Sequence, residues 1–186
     1  MHRVFLFLLL STSPAWAGGD GCHDLWFTRN LIMDRAGYCF GSALGQAAFD
    51  NSDCIGKSVS LDPASAQMVD QIRGMERFHG CTVDTGQVWL DLDDVFIRRQ
   101  LTDLPIREEF ESACIGWLGP VTILYSGHSP GAVPVGQIQP GDTLSYSHLP
   151  VGNWTYLTVR GPDWQIKGGG WLDTAATPEQ CREVAG

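Results

Sequence analysis

Basic charge is scarce in this chain. Its 12 Lys and Arg stand against 21 Asp and Glu, for a formal net charge of −9. That balance argues against nucleic acid, which needs basic patches to neutralise phosphates. It argues equally against docking on anionic lipid. No run of like charge stands out, so the acidity reads as dispersed solubility. Long apolar runs are missing too. The run that opens the chain, Val4–Leu10, is far short of the roughly 20 residues a membrane-spanning helix needs. No C-x-x-C pair exists, and "CH" at 22–23 and "HGC" at 79–81 lack zinc-ligand spacing. "DLDD" at 91–94 lacks the spaced ligands, central Gly and closing Glu of a calcium loop. "GGG" at 168–170 is followed by neither a helix pattern nor the Lys-Ser/Thr pair of a phosphate loop, so it reads as a bulge or tight bend. Neither a metal nor a cofactor is expected.

What is present begins with an export signal. "MHRVFLFLLLSTSPAWA" has a basic start, an apolar core and Ala15-Trp16-Ala17 as a small-x-small cleavage site. Residues 1–17 are therefore expected to be removed after Ala17, which takes away Arg3 and leaves a net charge of −10. Gly19-Asp20-Gly21 before Cys22 does not make a lipobox, so no stable membrane anchor is expected and the product is soluble, secreted or periplasmic. All six cysteines, 22, 39, 54, 81, 114 and 181, follow the signal. An even count in an exported chain predicts three disulfides, with fifteen pairings open.

Residues 18–115 read as a mainly α-helical domain. Leu25, Ile32 and Ala36 recur at helical spacing, with Trp26 and Met33 beside them, and Gly37 ends the helix. "SALGQAAF" is a second short helical piece and "DNSD" a turn. A third helix has Asp62 as N-cap and Pro63 as first residue. Met68, Val69, Ile72 and Met75 form its buried stripe, continued by Phe78 or His79, and Gly80 is its stop. Such a small helical unit is marginal alone, which accounts for cysteines at its helix ends. Arg29, with Asn30 beside it, interrupts the inward stripe. A guanidinium there closes polar gaps, with helix-end carbonyls, Asp50 or Asp53 as partners, or else it holds an anionic ligand.

The stretch "RNLIMDRAGYCFGSALGQAAFDN" resembles the YARHG domain of exported bacterial proteins. Arg35, Gly37 and Tyr38 match its pattern, while Met33 and Ala36 replace the first Tyr and the His. With Cys39, Cys54 and Cys81 it is similar to a cysteine-stapled variant from secreted alphaproteobacterial proteins of unknown function. The resemblance implies an extracellular address and no established catalysis.

The middle is less regular. Val88, Leu90 and Leu92 alternate like a strand with Trp89 opposite, and "PIREEFESAC" reads as a helix with Ile106, Phe110 and Ala113 inward. From Gly116 the texture changes to Gly, Pro and aromatics. Five short strands are expected at 121–124, 134–138, 143–147, 154–159 and 165–172, over a domain at 116–175, with 176–186 as a tail. "LYSGHSPG", "VGQIQPGDTL", "NWTYLTV" and "GGGWLD" follow in the order of a bacterial SH3-like domain, which this stretch resembles. Tyr125 stands where the family has an arginine in its first loop. The expected fold class is thus α+β: a disulfide-stapled α-helical domain followed by an SH3-like five-stranded β-barrel.

The resemblance implies docking or binding of cell-wall peptide. A candidate face is Tyr125, His128, Tyr146, Trp154 and Trp164. Small barrels also fill their cores with aromatics, the expected place of Trp154 and Trp171, which sit inside strand motifs. It implies too that Cys114–Cys181 ties the barrel's ends. The other four cysteines then pair within the helical domain, as Cys39–Cys54 and Cys22–Cys81.

Catalysis is the competing reading. "HGC" at 79–81 is similar to the L,D-transpeptidase motif, which would make Cys81 the nucleophile of a cell-wall cysteine peptidase or transpeptidase. Here Thr82-Val83 follow the Cys where that family has an Arg. Glu76, Glu108 and Glu109 offer carboxylates for glycan hydrolysis, without a motif placing a pair across a cleft. The expectation is a non-catalytic binding or interaction module of the bacterial envelope, with peptidoglycan or a periplasmic protein as partner. A purely structural envelope protein is the third possibility.

Overall fold

The computed structural model describes residues 19–186, so the expected signal segment lies outside the described residues. Four helices come first: α1 (Gly19–Arg35), α2 (Ala43–Ala48), α3 (Pro63–Phe78) and the single turn α4 (Val95–Arg98). Seven strands follow: β1 (Arg107–Trp117), β2 (Thr122–Tyr125), β3 (Pro134–Ile138), β4 (Thr143–His148), β5 (Trp154–Arg160), β6 (Ile166–Asp173) and β7 (Cys181–Ala185). Among the described residues, no helix is long and apolar enough to cross a membrane.

The helix ends follow local chemistry. The Asp62 carboxylate accepts from the N–H groups of Ala64 and Ser65, and Pro63 opens α3. Ser42 caps α2 through Gly45. After α1 the chain turns at Gly37, with φ +84°, and a Cβ there would lie 2.8 Å from Ile55 Cγ1. The helix α1 is buried on most of its circumference, with Leu25, Trp26, Phe27, Leu31 and Ile32 in the core. It packs against α3 and β1.

The strands form one antiparallel sheet in the order β3-β2-β6-β5-β4-β1-β7. Five of them, β2–β6, fall where the sequence places strands. The sheet is not the expected five-stranded barrel: β1 and β7 extend it beyond β4, and its order leaves β3 and β7 as edges. The segment 105–114, expected as a helix, forms most of β1 from Arg107 onward. The i, i+4 spacing of Ile106 and Phe110 suits a helix, yet only Ile106 is buried. Pairing with β4 and β7, both distant in sequence, supplies the backbone partners. The expected tail forms a short 3-10 turn and β7. No strand forms at 88–92. That loop is pinned instead by the Asp91 N–H, which donates to His23 Nδ1 at 2.9 Å.

Two apolar cores lie on the two faces of the sheet. One joins the helices to Leu101, Leu104, Ile106 and the cross-strand pair Tyr156–Trp171. The other gathers Trp117, Leu124, Ile138, Leu144, Leu157, Val159 and Leu172. In β6, a Cβ on Gly169 would sit 2.8 Å from Leu157 O and 3.3 Å from Ile97 Cδ1. The glycine run thus lets α4 lie close on the sheet, beside a register shift opposite Val159 and Arg160.

Three disulfides join Cys22–Cys81, Cys39–Cys54 and Cys114–Cys181, the pairs named from the sequence, and no cysteine is free. The last one staples β1 to its neighbour β7 at one sheet edge, not the two ends of a barrel.

Candidate functional site

Where α1, α4 and the sheet meet, charged side chains are buried together. Arg98 and Asp24 are almost fully enclosed, at 1% and 2% side-chain exposure. The guanidinium straddles the Asp24 carboxylate: Nη1 donates to Oδ1 at 2.6 Å and Nη2 to Oδ2. Nη1 also donates to Thr28 Oγ1 at 2.8 Å, and Nε to Asp94 Oδ2 at 2.9 Å. The same Asp94 oxygen accepts from the Tyr156 hydroxyl at 2.8 Å. His148 Nε2 completes the cluster, 2.9 Å from Arg98 Nη2 and 3.0 Å from Asp24 Oδ2. Its Nδ1 is 3.2 Å from Ser147 Oγ. With the ring proton on Nδ1, Nε2 accepts from Arg98 and every guanidinium N–H has an acceptor.

The electrostatics follow from burial and pairing. Burial works to raise the Asp24 pKa, but Arg98 and His148 outweigh it and hold the carboxyl below the usual range. Burial lowers the His148 pKa more than Asp24 raises it, so the ring is neutral near pH 7. Burial, then the Asp94 charge, drives the Tyr156 hydroxyl well above its ordinary value. Two carboxylates against one guanidinium leave the cluster with an excess negative charge. Asp94 Oδ1 is buried with no hydrogen-bond partner among the described residues.

This cluster forms the inner wall of a cleft of about 690 Å³. Strands β1, β4 and β5 line it with the hydroxyls of Ser112, Ser145, Ser147 and Thr158, and with Tyr146, whose phenolic oxygen is itself buried. Burial pushes the Tyr146 phenol up to about 12. The rim carries both signs of charge. Arg160 Nη2 lies 3.2 Å from Asp93, Arg107 pairs with Glu111, and Asp91 is exposed with no ionic partner among the described residues. Among the described residues, no group of three His, Cys, Asp or Glu side chains is placed to hold a metal ion.

The residues singled out from sequence are dispersed. Tyr146 lines the cleft. Tyr125 and Trp154 meet edge to face at 5.9 Å, with Trp154 half-buried against the helical core. His128 packs on Trp171 at 4.7 Å, and its N–H donates to Asp103. Trp164 is exposed in a turn with φ +64°. Arg29 reaches neither Asp50 nor Asp53. Its Nε and Nη2 donate to Glu76 at 3.0–3.1 Å, tying α1 to α3, while Asn30 Nδ2 donates to Trp26 O. Glu76 stands on the neighbouring helix, nearer than the turn after α2.

The sequence reading misses Asp24, Asp94, Arg98, His148 and Tyr156. Two local signals exist: Asp24 and Thr28 share a helix face one turn apart, and Asp94 and Arg98 are spaced i, i+4. Their convergence with His148 and Tyr156 needs the tertiary fold.

No curated protein and no solved structure matches this chain. The YARHG domain matches residues 5–77, the part that supplies Asp24 and Thr28. The second match, residues 80–186, supplies Asp94, Arg98, His148 and Tyr156, so the cleft is built from both. Because that match spans more than half the chain, the protein belongs to the family described as Domain of unknown function (DUF4453).

Proposed function

We propose that this protein is a non-catalytic binding module of the bacterial cell envelope, and that its ligand, a cell-wall peptide, enters the cleft between α4 and the β1-β4-β5 face. One observation carries this reading: a buried, fully hydrogen-bonded guanidinium fixes the wall of a roomy, hydroxyl-lined cleft whose rim bears both charges. Asp91, Asp93 and the excess charge of the cluster suit an ammonium group. Arg107 and Arg160 suit carboxylates. A short peptide carrying both would use each side.

An oxidising compartment fits the three disulfides. In the same reading β2–β6 is the SH3-like unit, supported by the four sequence motifs and the position of the five strands. Chemistry is disfavoured on two grounds. The Cys81 sulfur is bonded to Cys22 and offers no thiolate. Ser147, His148 and Asp24 line up like a relay, but the Arg98 charge against Nε2 opposes an imidazolium and makes His148 a poor base.

Sedimentation with purified peptidoglycan tests the proposal. The wild type is expected to pellet with it. Asp91→Ala and Arg160→Gln are each expected to weaken retention about tenfold, the effect of a lost charged hydrogen bond of about 1.5 kcal/mol. Equal retention of wild type and both variants, or none by any, removes the cleft from the account.

A further inference from the structure

A second surface lies on the far side of β1. Between Arg107 and Ser112, β1 advances five residues while β4 moves only from His148 to Tyr146. The surplus makes a bulge. Arg107, Glu111 and Ser112 line the cleft, whereas Glu108, Glu109 and Phe110 face a separate groove of about 410 Å³. The end of α3 forms the groove's other wall. Met75 and Leu149 are half-buried in it. Phe78 and Phe110 stand in water, 79% and 77% exposed. Folding gains little from either ring, and two such rings lining one groove form the kind of exposed apolar patch that marks an interaction site. The groove also carries sign. Glu108 and Glu109 have no ionic or hydrogen-bonding side-chain partner among the described residues.

We infer that this groove docks a segment of a partner protein that presents an apolar anchor flanked by lysine or arginine. The anchor packs between Phe78 and Phe110, and the basic flanks meet Glu108 and Glu109. A second copy of this chain suits the groove poorly, because its net charge of −9 brings acid against acid.

The probe is a random 12-residue peptide library displayed on phage, panned on the full oxidised protein. Enriched peptides are expected to pair an aromatic or long aliphatic residue with Lys or Arg. Synthetic copies should bind Phe78→Ala or Phe110→Ala roughly tenfold more weakly. Glu108→Gln/Glu109→Gln should weaken them several-fold and reduce the salt dependence. Both phenylalanines are exposed, so the variants should keep the wild-type urea midpoint and their retention on peptidoglycan, which separates this surface from the cleft. No enrichment, enrichment indifferent to both Phe substitutions, or enrichment of acidic peptides overturns the inference. So does self-association in sedimentation velocity that Phe110→Ala abolishes, because the occupant would then be a second copy.

Discussion

Arg98→Ala is expected to lower the unfolding free energy by about 3–5 kcal/mol, the range for removing one partner of a buried ion pair. The loss comes from the carboxylates left behind. Asp24 and Asp94 would stay buried with their charges uncompensated, and Thr28 and His148 would lose a donor. Replacing the charged groups together, as Asp24→Leu, Asp94→Leu and Arg98→Met, should cost much less, since buried ion pairs exchanged for apolar residues are often near neutral. Urea unfolding of the three proteins checks this. A triple variant as unstable as Arg98→Ala would show that the guanidinium matters for shape and not for charge. Acid acts on the same cluster. The folded-state pKa of His148 lies below its unfolded value, so the unfolded chain takes up the proton first. The contribution of His148 is therefore complete above about pH 6.5 and declines as the pH falls below it. Asp24 adds a second loss below the usual carboxylate range, for the same reason.

Removing Cys22–Cys81 as a double alanine variant is expected to cost about 4 kcal/mol. The bond closes a segment with a sequence separation of 59, against 15 for Cys39–Cys54. Chain entropy grows with the logarithm of loop length, so the shorter bridge should contribute about 1 kcal/mol less. Cys22 also lies one half-turn before Asp24 on α1. Its bridge fixes the start of that helix to the end of α3, next to the Arg29–Glu76 pair. Urea unfolding of the two double variants ranks them. A Cys22/Cys81 variant more stable than the Cys39/Cys54 variant would contradict this account of the bridge.

Much of the fold was legible where the signal is local. Asp62, Pro63 and Gly80 bound α3, Gly37 follows α1, and the turn clusters of the C-terminal half separate β2–β6. Disulfide chemistry was legible because a signal-like opening sequence and an even cysteine count both point to it. The parts that escaped depend on distant partners. The segment carrying Ile106 and Phe110 has a helical period, yet β4 and β7 claim its backbone. Residues 176–186 look like a tail until β1 offers them an edge. The candidate site escaped for the same reason. Aromatics near loops drew attention to Tyr125, His128 and Trp164, whereas the buried cluster takes Asp24 and Thr28 from α1, Asp94 and Arg98 from the two ends of α4, His148 from β4 and Tyr156 from β5. Of the five aromatic and His candidates, only Tyr146 reaches the cleft.

The claim that the cleft is where ligand binds can be tested residue by residue. Uniformly ¹⁵N-labelled oxidised protein, titrated with a soluble cell-wall peptide fragment, should show amide shifts concentrated at residues 91–94, 145–148 and Arg160. Shifts confined to Tyr125, His128, Trp154 and Trp164, or no shifts at all, would contradict it.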